Sequence, residues 1–206
     1  MTKVKICGIT DAAAFDSVVA EGADYVGFVF FPPSPRAIAP AQAAALSARH
    51  VGGPARVGLF VQPDDADIAA VLAALPLDAL QLHNVDVPRA CAIRAKFGVP
   101  VWRAIGVAAA NDLPDEIGTD LLMLDAKPPK GATRPGGNAI TFDWGVLAAW
   151  KAPGPWMLAG GLTADNVAEA IRVTGAPVVD ASSSVESAPG VKDPARIRAF
   201  IAAVRG

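Results

Sequence analysis

The strongest constraint on this chain is an alternation of short apolar runs with longer amphipathic runs, repeated eight times along the sequence. The short runs are apolar on both faces, as are the strands of a parallel sheet that is covered by helices. Eight strand–helix units favour a closed (β/α)8 TIM barrel of the α/β class, with an open doubly wound sheet of fewer strands as the alternative. Because no low-complexity linker interrupts the pattern, we predict that residues 1–206 form a single domain.

The individual elements follow from hydrophobic periodicity and from helix caps. Strands are predicted over residues 4–6, 25–30, 56–61, 79–82, 101–105, 121–124, 156–158 and 177–179. A first helix is predicted between the cap residues Thr10 and Asp11 and the terminating Gly22, and a weak helical turn after Asn111. Further helices are predicted over residues 43–49, 65–75, 87–97, 144–150, 164–173 and 194–204.

Composition excludes several classes of protein. Of the 206 residues, 52% are hydrophobic and 18% are charged, and the formal net charge is −2. This is not the composition of a disordered chain, and the absence of a Lys/Arg cluster argues against nucleic acid as a partner. We find neither an unbroken apolar stretch of about 18 residues nor a signal peptide, and therefore predict no membrane partner. Two cysteines, Cys7 and Cys91, make no disulfide framework, which suits a cytoplasmic location.

Polar residues at the ends of the predicted strands are the candidates for function. In a barrel, the carboxyl ends of all strands converge on one mouth, so residues far apart in sequence can share a site there. The candidates are Cys7, Arg36, His83, Arg103, Asp125 and Asp180. A lone histidine is more often structural than catalytic, so His83 and Asp180 are treated as possible supporting residues. No second ligand lies near His83 at metal-binding spacing, and we predict no metal.

Cys7 and Asp125 are the candidates for proton transfer. A thiolate at a barrel mouth can act as nucleophile or base, whereas a free cysteine is more often a small buried apolar residue. Asp125 ends a hydrophobic strand and enters a partly desolvated mouth, which raises a carboxyl pKa and suits a general acid. The alternative is an aspartate that caps the following loop or pairs with Lys127. The residues alone leave these alternatives open.

Two segments predict a phosphate site. Gly160 and Gly161 join a strand to a helix, and the segment 180–186, DASSSVE, follows the last strand. Backbone N–H groups, a helix N-terminus and hydroxyl groups are suited to a phosphate dianion. In barrels the recurrent phosphate site lies after strands seven and eight. A phosphorylated small molecule is therefore the predicted ligand.

An ordered set of motifs, spread over essentially the whole chain, resembles the phosphoribosylanthranilate isomerase family. The motifs are KICGIT at 5–10, GFVF at 27–30, SPR at 34–36, VGLFV at 57–61, LQLH at 80–83, LD at 124–125, GG at 136–137, FDW at 142–144, LAGGL at 158–162, SS at 182–183, VE at 185–186, PG at 189–190 and KD at 192–193.

The resemblance implies a (β/α)8-barrel isomerase of tryptophan biosynthesis that needs no cofactor. Its reaction would be an Amadori rearrangement of N-(5-phosphoribosyl)anthranilate to 1-(o-carboxyphenylamino)-1-deoxyribulose 5-phosphate. The roles that the resemblance implies are general base for Cys7, general acid for Asp125, binding of the anthranilate carboxylate for Arg36, and phosphate binding for Gly160, Gly161, Ser182 and Ser183.

Two positions depart from the family pattern. Ser184 stands where the family usually has Gly, and a serine there is strained if the backbone needs a positive φ, although its hydroxyl could instead contact the phosphate. Asn84 replaces the usual Gly after the histidine, and Asn tolerates the left-handed region. Two other functions stay open, namely a related phosphosugar aldose–ketose isomerase and a barrel that binds a phosphorylated ligand without catalysis. The sequence is compatible with a monomer or a homodimer.

Overall fold

A computed structural model describes residues 1–127, 131, 136 and 141–206. Within them, eight parallel strands form a closed barrel in chain order. The strands are β1 (Lys3–Cys7), β2 (Tyr25–Val29), β3 (Ala55–Val61), β4 (Ala79–His83), β5 (Val101–Val107), β6 (Leu121–Ala126), β7 (Trp156–Leu158) and β8 (Val178–Ala181). Because β1 pairs with both β2 and β8, the sheet is closed. The predicted TIM barrel is confirmed, and the open sheet is wrong.

Helices cover the outside of the barrel. They are α1 (Ala12–Ala20), α2 (Pro40–Ser47), α3 (Asp65–Ala74), α4 (Val87–Phe97), α5 (Val167–Thr174) and α6 (Pro194–Arg205). An aspartate caps the N-terminus of four of them, with its carboxylate accepting from a backbone N–H of the first turn: Asp11, Asp64, Asp86 and Asp193. No helix of the described residues is long and apolar enough to cross a membrane.

The helix predicted over residues 144–150 is wrong. A short 3₁₀ turn, Trp144–Leu147, occupies that place, and a second one, Ala110–Asp112, follows β5. The hydrogen bonds of this segment are of the 3₁₀ type, from the backbone N of Ala148 to Gly145 and from that of Trp150 to Leu147, and Trp150 packs edge-on against Trp156, with ring centroids 5.6 Å apart. The structure also contains a hairpin that the sequence pattern did not predict, formed by β9 (Glu186–Ala188) and β10 (Val191–Lys192).

Alternate residues of each strand point into the barrel. The lower level of the interior is a cluster of buried apolar side chains: Val57, Ala79, Trp102, Ala104, Leu121, Met123, Met157, Ala159 and Val178. Continuing the same alternation towards the carboxyl ends of the strands brings polar side chains inward, with Gln81 and His83 above Ala79 and Asp125 above Met123. An apolar floor therefore supports a polar mouth.

An aspartate clasp recurs at the opposite, amino-terminal face of the barrel. Asp24 directly precedes β2, and its Oδ2 accepts from the backbone N of Val4 in β1 at 2.9 Å. In the same way, Oδ2 of Asp78 accepts from the first residues of β3, at the backbone N of Arg56 (2.6 Å), and Oδ2 of Asp120 accepts from the backbone N of Val101 in β5 (2.8 Å). The position before β8 holds Pro177 instead. The pairs β1–β2, β3–β4 and β5–β6 are thus joined by a side chain as well as by the ladder.

Asp24→Ala tests the contribution of this clasp. We expect the free energy of unfolding to fall by about 1–3 kcal/mol, because the fully buried backbone N–H of Val4 loses its acceptor. Asp115→Ala, at an exposed position, is the matched control and should stay within about 0.5 kcal/mol of wild type. Urea unfolding followed by circular dichroism measures both. Equal effects of the two substitutions would contradict the clasp.

Candidate active site

The predicted site residues meet at the carboxyl-terminal mouth of the barrel. A cavity of about 500 Å³, measured with its open end, is lined by Cys7, Arg36, His83, Asp125, Asp180 and Ser182 among others. A smaller recess of about 330 Å³ is lined by Gly160, Gly161, Ser182, Ser183 and Ser184, and it shares Asp125 and Asp180 with the first. The two spaces together form one site with a wide end and a narrow end.

Arg103 is the exception, and its inclusion among the mouth residues is wrong. The strand β5 continues to Val107, so Arg103 lies in the middle of the strand and not at its end. Its neighbours Trp102 and Ala104 belong to the interior cluster. Strand alternation therefore turns Arg103 towards the helices, away from the mouth.

Cys7 ends β1 and is almost completely buried, with 3% of its surface exposed. On the adjacent strand, a side chain at Gly27 would place its Cβ 2.8 Å from the Cys7 Sγ, so the glycine makes room for the sulfur. Burial raises the pKa of the Cys7 thiol above its ordinary value, and the nearby Lys5 ammonium acts in the opposite direction. With this raised pKa, Cys7 is mainly a thiol at neutral pH.

Lys5 was not predicted as a site residue, yet it is a charged side chain buried in β1, two residues before Cys7. Its side chain is wholly buried, and its Nζ donates to Oδ1 of Asp180 at 2.7 Å. The two residues are register partners on β1 and β8. Burial alone would lower the pKa of Lys5, but the Asp180 carboxylate outweighs it and the pKa is raised. The signal in the sequence was a lysine inside a short apolar strand.

Asp125 lies near the end of β6, lines the same narrow recess as Asp180, and is 8% exposed. Burial, and then the charge of Asp180, raise the pKa of Asp125 to about 7. Gly136 lies close against this carboxyl group: a Cβ there would collide with Oδ2 of Asp125 and lie 3.3 Å from Cε1 of His83. Of the glycine-rich segment 131–137, the structure describes only Gly131 and Gly136.

His83 is buried at the end of β4 and lines the same cavity as Asp125. Burial lowers its pKa to about 4, so the imidazole is neutral at neutral pH. Its Nε2 lies 2.9 Å from Nε2 of Gln81, a buried residue that was not predicted. Oε1 of Gln81 has no hydrogen-bond partner within the described part of the chain. In the same part of the chain, no three His, Cys, Asp or Glu side chains are placed to hold a metal ion.

Arg36 follows β2 and reaches the wide end of the cavity. Its Nε and Nη2 donate to the two carboxylate oxygens of Glu186 at 2.6 and 2.9 Å. Glu186 is 150 positions from Arg36 in sequence. The sequence analysis included it in the VE motif but predicted no role for it. The guanidinium is therefore held in a fixed plane before any ligand binds.

The narrow recess has the backbone geometry that an anion needs. Gly160 and Gly161 have φ of 86° and 60°, and a Cβ on Gly160 would lie 2.5 Å from the backbone N of Ala126. Ser184 lies in the 3₁₀ turn Ser183–Val185 without a positive φ, so the possible strain does not arise. Its buried Oγ has no partner among the described residues. Asn84 does adopt the left-handed region, with φ of 55°.

Fold and site together define a class, a (β/α)8 barrel whose mouth holds a thiol and a carboxyl group of raised pKa between an arginine and a recess lined by glycines and serines. Residues 4–203 match the model of the family described as N-(5'phosphoribosyl)anthranilate (PRA) isomerase. The chain belongs to this family, and the resemblance drawn from the sequence motifs is confirmed.

Individual relatives agree with this assignment. An N-(5'-phosphoribosyl)anthranilate isomerase of Granulibacter bethesdensis is 55% identical over 206 residues, covering 100% of this chain and 99% of the relative. A crystal structure of monomers generated from the dimeric isomerase of Thermotoga maritima has a TM-score of 0.82 and 35% identity, with 100% of both chains covered. A second crystal structure, of an isomerase with reduced 1-(o-carboxyphenylamino)-1-deoxyribulose 5-phosphate, has a TM-score of 0.86 and 33% identity, with 100% of both chains covered.

The opposing effects of Lys5 and Asp180 on the Cys7 thiol are testable by alkylation. In a Cys91→Ser background, Lys5→Met should slow the reaction of Cys7 with iodoacetamide at pH 8, because loss of the ammonium raises the thiol pKa. Asp180→Asn should accelerate it. Below the thiol pKa, the thiolate fraction changes about tenfold for each unit of pKa shift, and the rate changes by less, because a thiolate of lower pKa is a weaker nucleophile.

Lys3→Met is the matched control, since Lys3 lies on the same strand but is exposed. It should leave the alkylation rate unchanged. Rates measured by mass spectrometry that move in the same direction for Lys5→Met and Asp180→Asn would contradict electrostatic control of the sulfur.

Proposed function

We propose that this chain catalyses the Amadori rearrangement of N-(5-phosphoribosyl)anthranilate to 1-(o-carboxyphenylamino)-1-deoxyribulose 5-phosphate, a step of tryptophan biosynthesis. The observation that carries the proposal is the placement of Cys7 and Asp125 in one cavity between two anion-binding ends. Family membership supports this reaction over that of another phosphosugar isomerase. The presence of both proton-transfer groups argues against a barrel that only binds its ligand.

The first step needs a proton on the furanose ring oxygen, so that the ring opens to an iminium ion. Asp125 is the group suited to supply it. With a pKa of about 7, a large fraction of this carboxyl group carries a proton at neutral pH, whereas an ordinary aspartate carries almost none. The buried position that raises the pKa also keeps water away from the reacting oxygen.

The second step removes a proton from C2′ of the opened sugar, and Cys7 is the proposed base. A thiol cannot accept this proton, so the reactive form is the thiolate. Lys5 favours that form by its charge, against the effect of burial. The iminium ion next to C2′ makes the proton acidic, and its removal gives an enolamine. Protonation at C1′ and loss of the hydroxyl proton then convert the enolamine to the ketone.

The two ends of the site match the two anionic ends of the substrate. Arg36 at the wide end suits the planar anthranilate carboxylate. In the narrow recess, the Gly160–Gly161 turn and the hydroxyl groups of Ser182 and Ser183 suit the phosphate. The Ser184 hydroxyl, which has no partner in the part of the chain that the structure describes, adds a donor that the usual family glycine lacks. Neutral His83, which lines the same cavity, is the proposed supporting residue.

We further propose that the enzyme acts in the cytoplasm on this small phosphorylated molecule, without a cofactor and without nucleic acid or membrane as partner. Both cysteines are free thiols, which supports a reducing compartment. The reaction is a proton transfer that side chains of the mouth can perform. A monomer and a homodimer are both compatible with it, and the Thermotoga maritima relative is described as dimeric.

Removal of either proton-transfer group tests the assignment. Cys7→Ser and Asp125→Asn should each lower kcat/KM by about 10²–10⁴, because each removes one half of the acid–base pair. Turnover is measured by the loss of substrate fluorescence, with circular dichroism as the check that the fold survives. Cys91→Ser, at an exposed cysteine, should behave like wild type. A Cys7→Ala variant with wild-type activity would rule out the proposed base.

The pH profile tests the order of the two pKa values. The reactive form has a proton on Asp125 and none on Cys7, and the carboxyl pKa of about 7 lies below the raised pKa of the thiol. Below a pH of about 7, kcat/KM should rise about tenfold per unit as thiolate forms. Above that pH it should level off, because loss of the carboxyl proton offsets the gain in thiolate. A profile that falls directly above pH 7 would contradict this order.

A further inference from the structure

The β9–β10 hairpin takes no part in the proposed proton transfers, yet two of its charged residues are buried against the site. Glu186 and Lys192 are each 5% exposed. Glutamate and lysine are almost never this deeply buried unless they are paired. Buried ion pairs contribute little net stability in place of apolar side chains, so stability is a weak reason for such a cluster.

The contact with Glu186 uses one edge of the Arg36 guanidinium. That edge is formed by Nε and Nη2, and the carboxylate binds it side-on through both oxygens. Guanidinium has five N–H donors in a plane, and its second edge, formed by Nη1 and the other Nη2 hydrogen, can bind another carboxylate. Within the described residues, no hydrogen bond from Nη1 is found. Glu186 therefore fixes the plane of Arg36 and leaves the second edge for a ligand.

Lys192 restores the positive charge of the Arg36 subsite, which Glu186 neutralises. A pair of Arg36 with Glu186 is neutral and attracts an incoming carboxylate weakly. The Nζ of Lys192 lies 2.8 Å from Oε1 of Glu186, and its side chain is wholly buried. The three groups together carry one net positive charge, which suits one carboxylate.

The same ammonium group reaches the phosphate end of the site. Nζ of Lys192 donates to the carbonyl oxygen of Ser182 at 2.8 Å and lies 3.4 Å from its Oγ. The hairpin is also fitted tightly to the loop before Arg36. At its turn, Gly190 has φ of 82°, and a Cβ there would collide with the carbonyl group of Pro35. The hairpin thus contacts both ends of the site.

We propose that Glu186 and Lys192 are positioning residues: they hold the Arg36 guanidinium so that its second edge meets the substrate carboxylate, and they join this subsite to Ser182 of the phosphate recess. The inference rests on the proposed function, because it takes the carboxylate of the substrate as the ligand of Arg36. The acid–base pair does not explain how the enzyme selects a substrate with a carboxylate, and the positioning of Arg36 would account for that selection.

Two inhibitors test the proposal, namely reduced 1-(o-carboxyphenylamino)-1-deoxyribulose 5-phosphate and the same compound without the carboxylate. Wild type should prefer the first. In Glu186→Gln this preference should fall roughly tenfold, since one charge-assisted bidentate contact no longer orients Arg36. The inhibition constant of the compound without carboxylate should stay nearly unchanged. In an Arg36→Met background, Glu186→Gln should have no further effect on the preference.

Glu169→Gln, in an exposed ion pair with Arg172, is the matched control and should change neither inhibition constant. If Glu186→Gln does not fold, Lys192→Met takes its place and should reduce the preference for the carboxylate, with weaker inhibition by inorganic phosphate as well. Equal weakening of both inhibitors, or an effect of Glu186→Gln that persists without Arg36, would overturn the proposal. A wild type that turns over its substrate but does not prefer the carboxylate would overturn this inference and leave the proposed reaction standing.

Discussion

The buried ion pair of Lys5 and Asp180 is the interaction on which the rest of the site depends. It joins the first strand to the last, at the seam where the barrel closes, and the two residues are partners in the ladder. A slip of one residue in this register would turn one of the two charges towards the apolar helix layer. The pair therefore fixes the alignment that brings Cys7 inward, and its two charges shift the thiol pKa in opposite directions on top of the larger effect of burial.

Acid and base chemistry in one cavity requires two environments, and the barrel provides them on opposite walls. Asp125 is buried beside a second carboxylate, so its proton is retained. Cys7 lies on the strand that carries the buried ammonium, which favours loss of its proton. The neutral His83 adds no charge to either wall. Because the thiol pKa lies above the carboxyl pKa of about 7, the reactive form, with a proton on Asp125 and none on Cys7, is a minor one, and these charges help to populate it.

Much of the fold and the composition of the mouth could be predicted, because both depend on local patterns. Strand alternation and strand ends located Cys7 and Asp125. The errors arose where the answer depended on partners distant in sequence. In the sequence, Lys5 is only a polar residue within an apolar strand. Its role depends on Asp180, which is 175 positions away in sequence but adjacent in the fold. Glu186 acquires a role only when the hairpin brings it to Arg36. Arg103 was misplaced because strand alternation was not applied to it: Trp102 and Ala104 point into the barrel, so Arg103 points outward.

The aspartate clasps at the amino-terminal face have a consequence for how the chain reaches this structure. Each clasp joins strands adjacent in sequence, about 20 residues apart, so the chain closes a short loop and loses little entropy in forming it. The last pair, β7 with β8, has no such clasp and a single register partner, Leu158 with Val179. The pairs that are close in sequence can form first. The pairing of β1 with β8, which are far apart in sequence, is stabilised instead by the ion pair of Lys5 and Asp180.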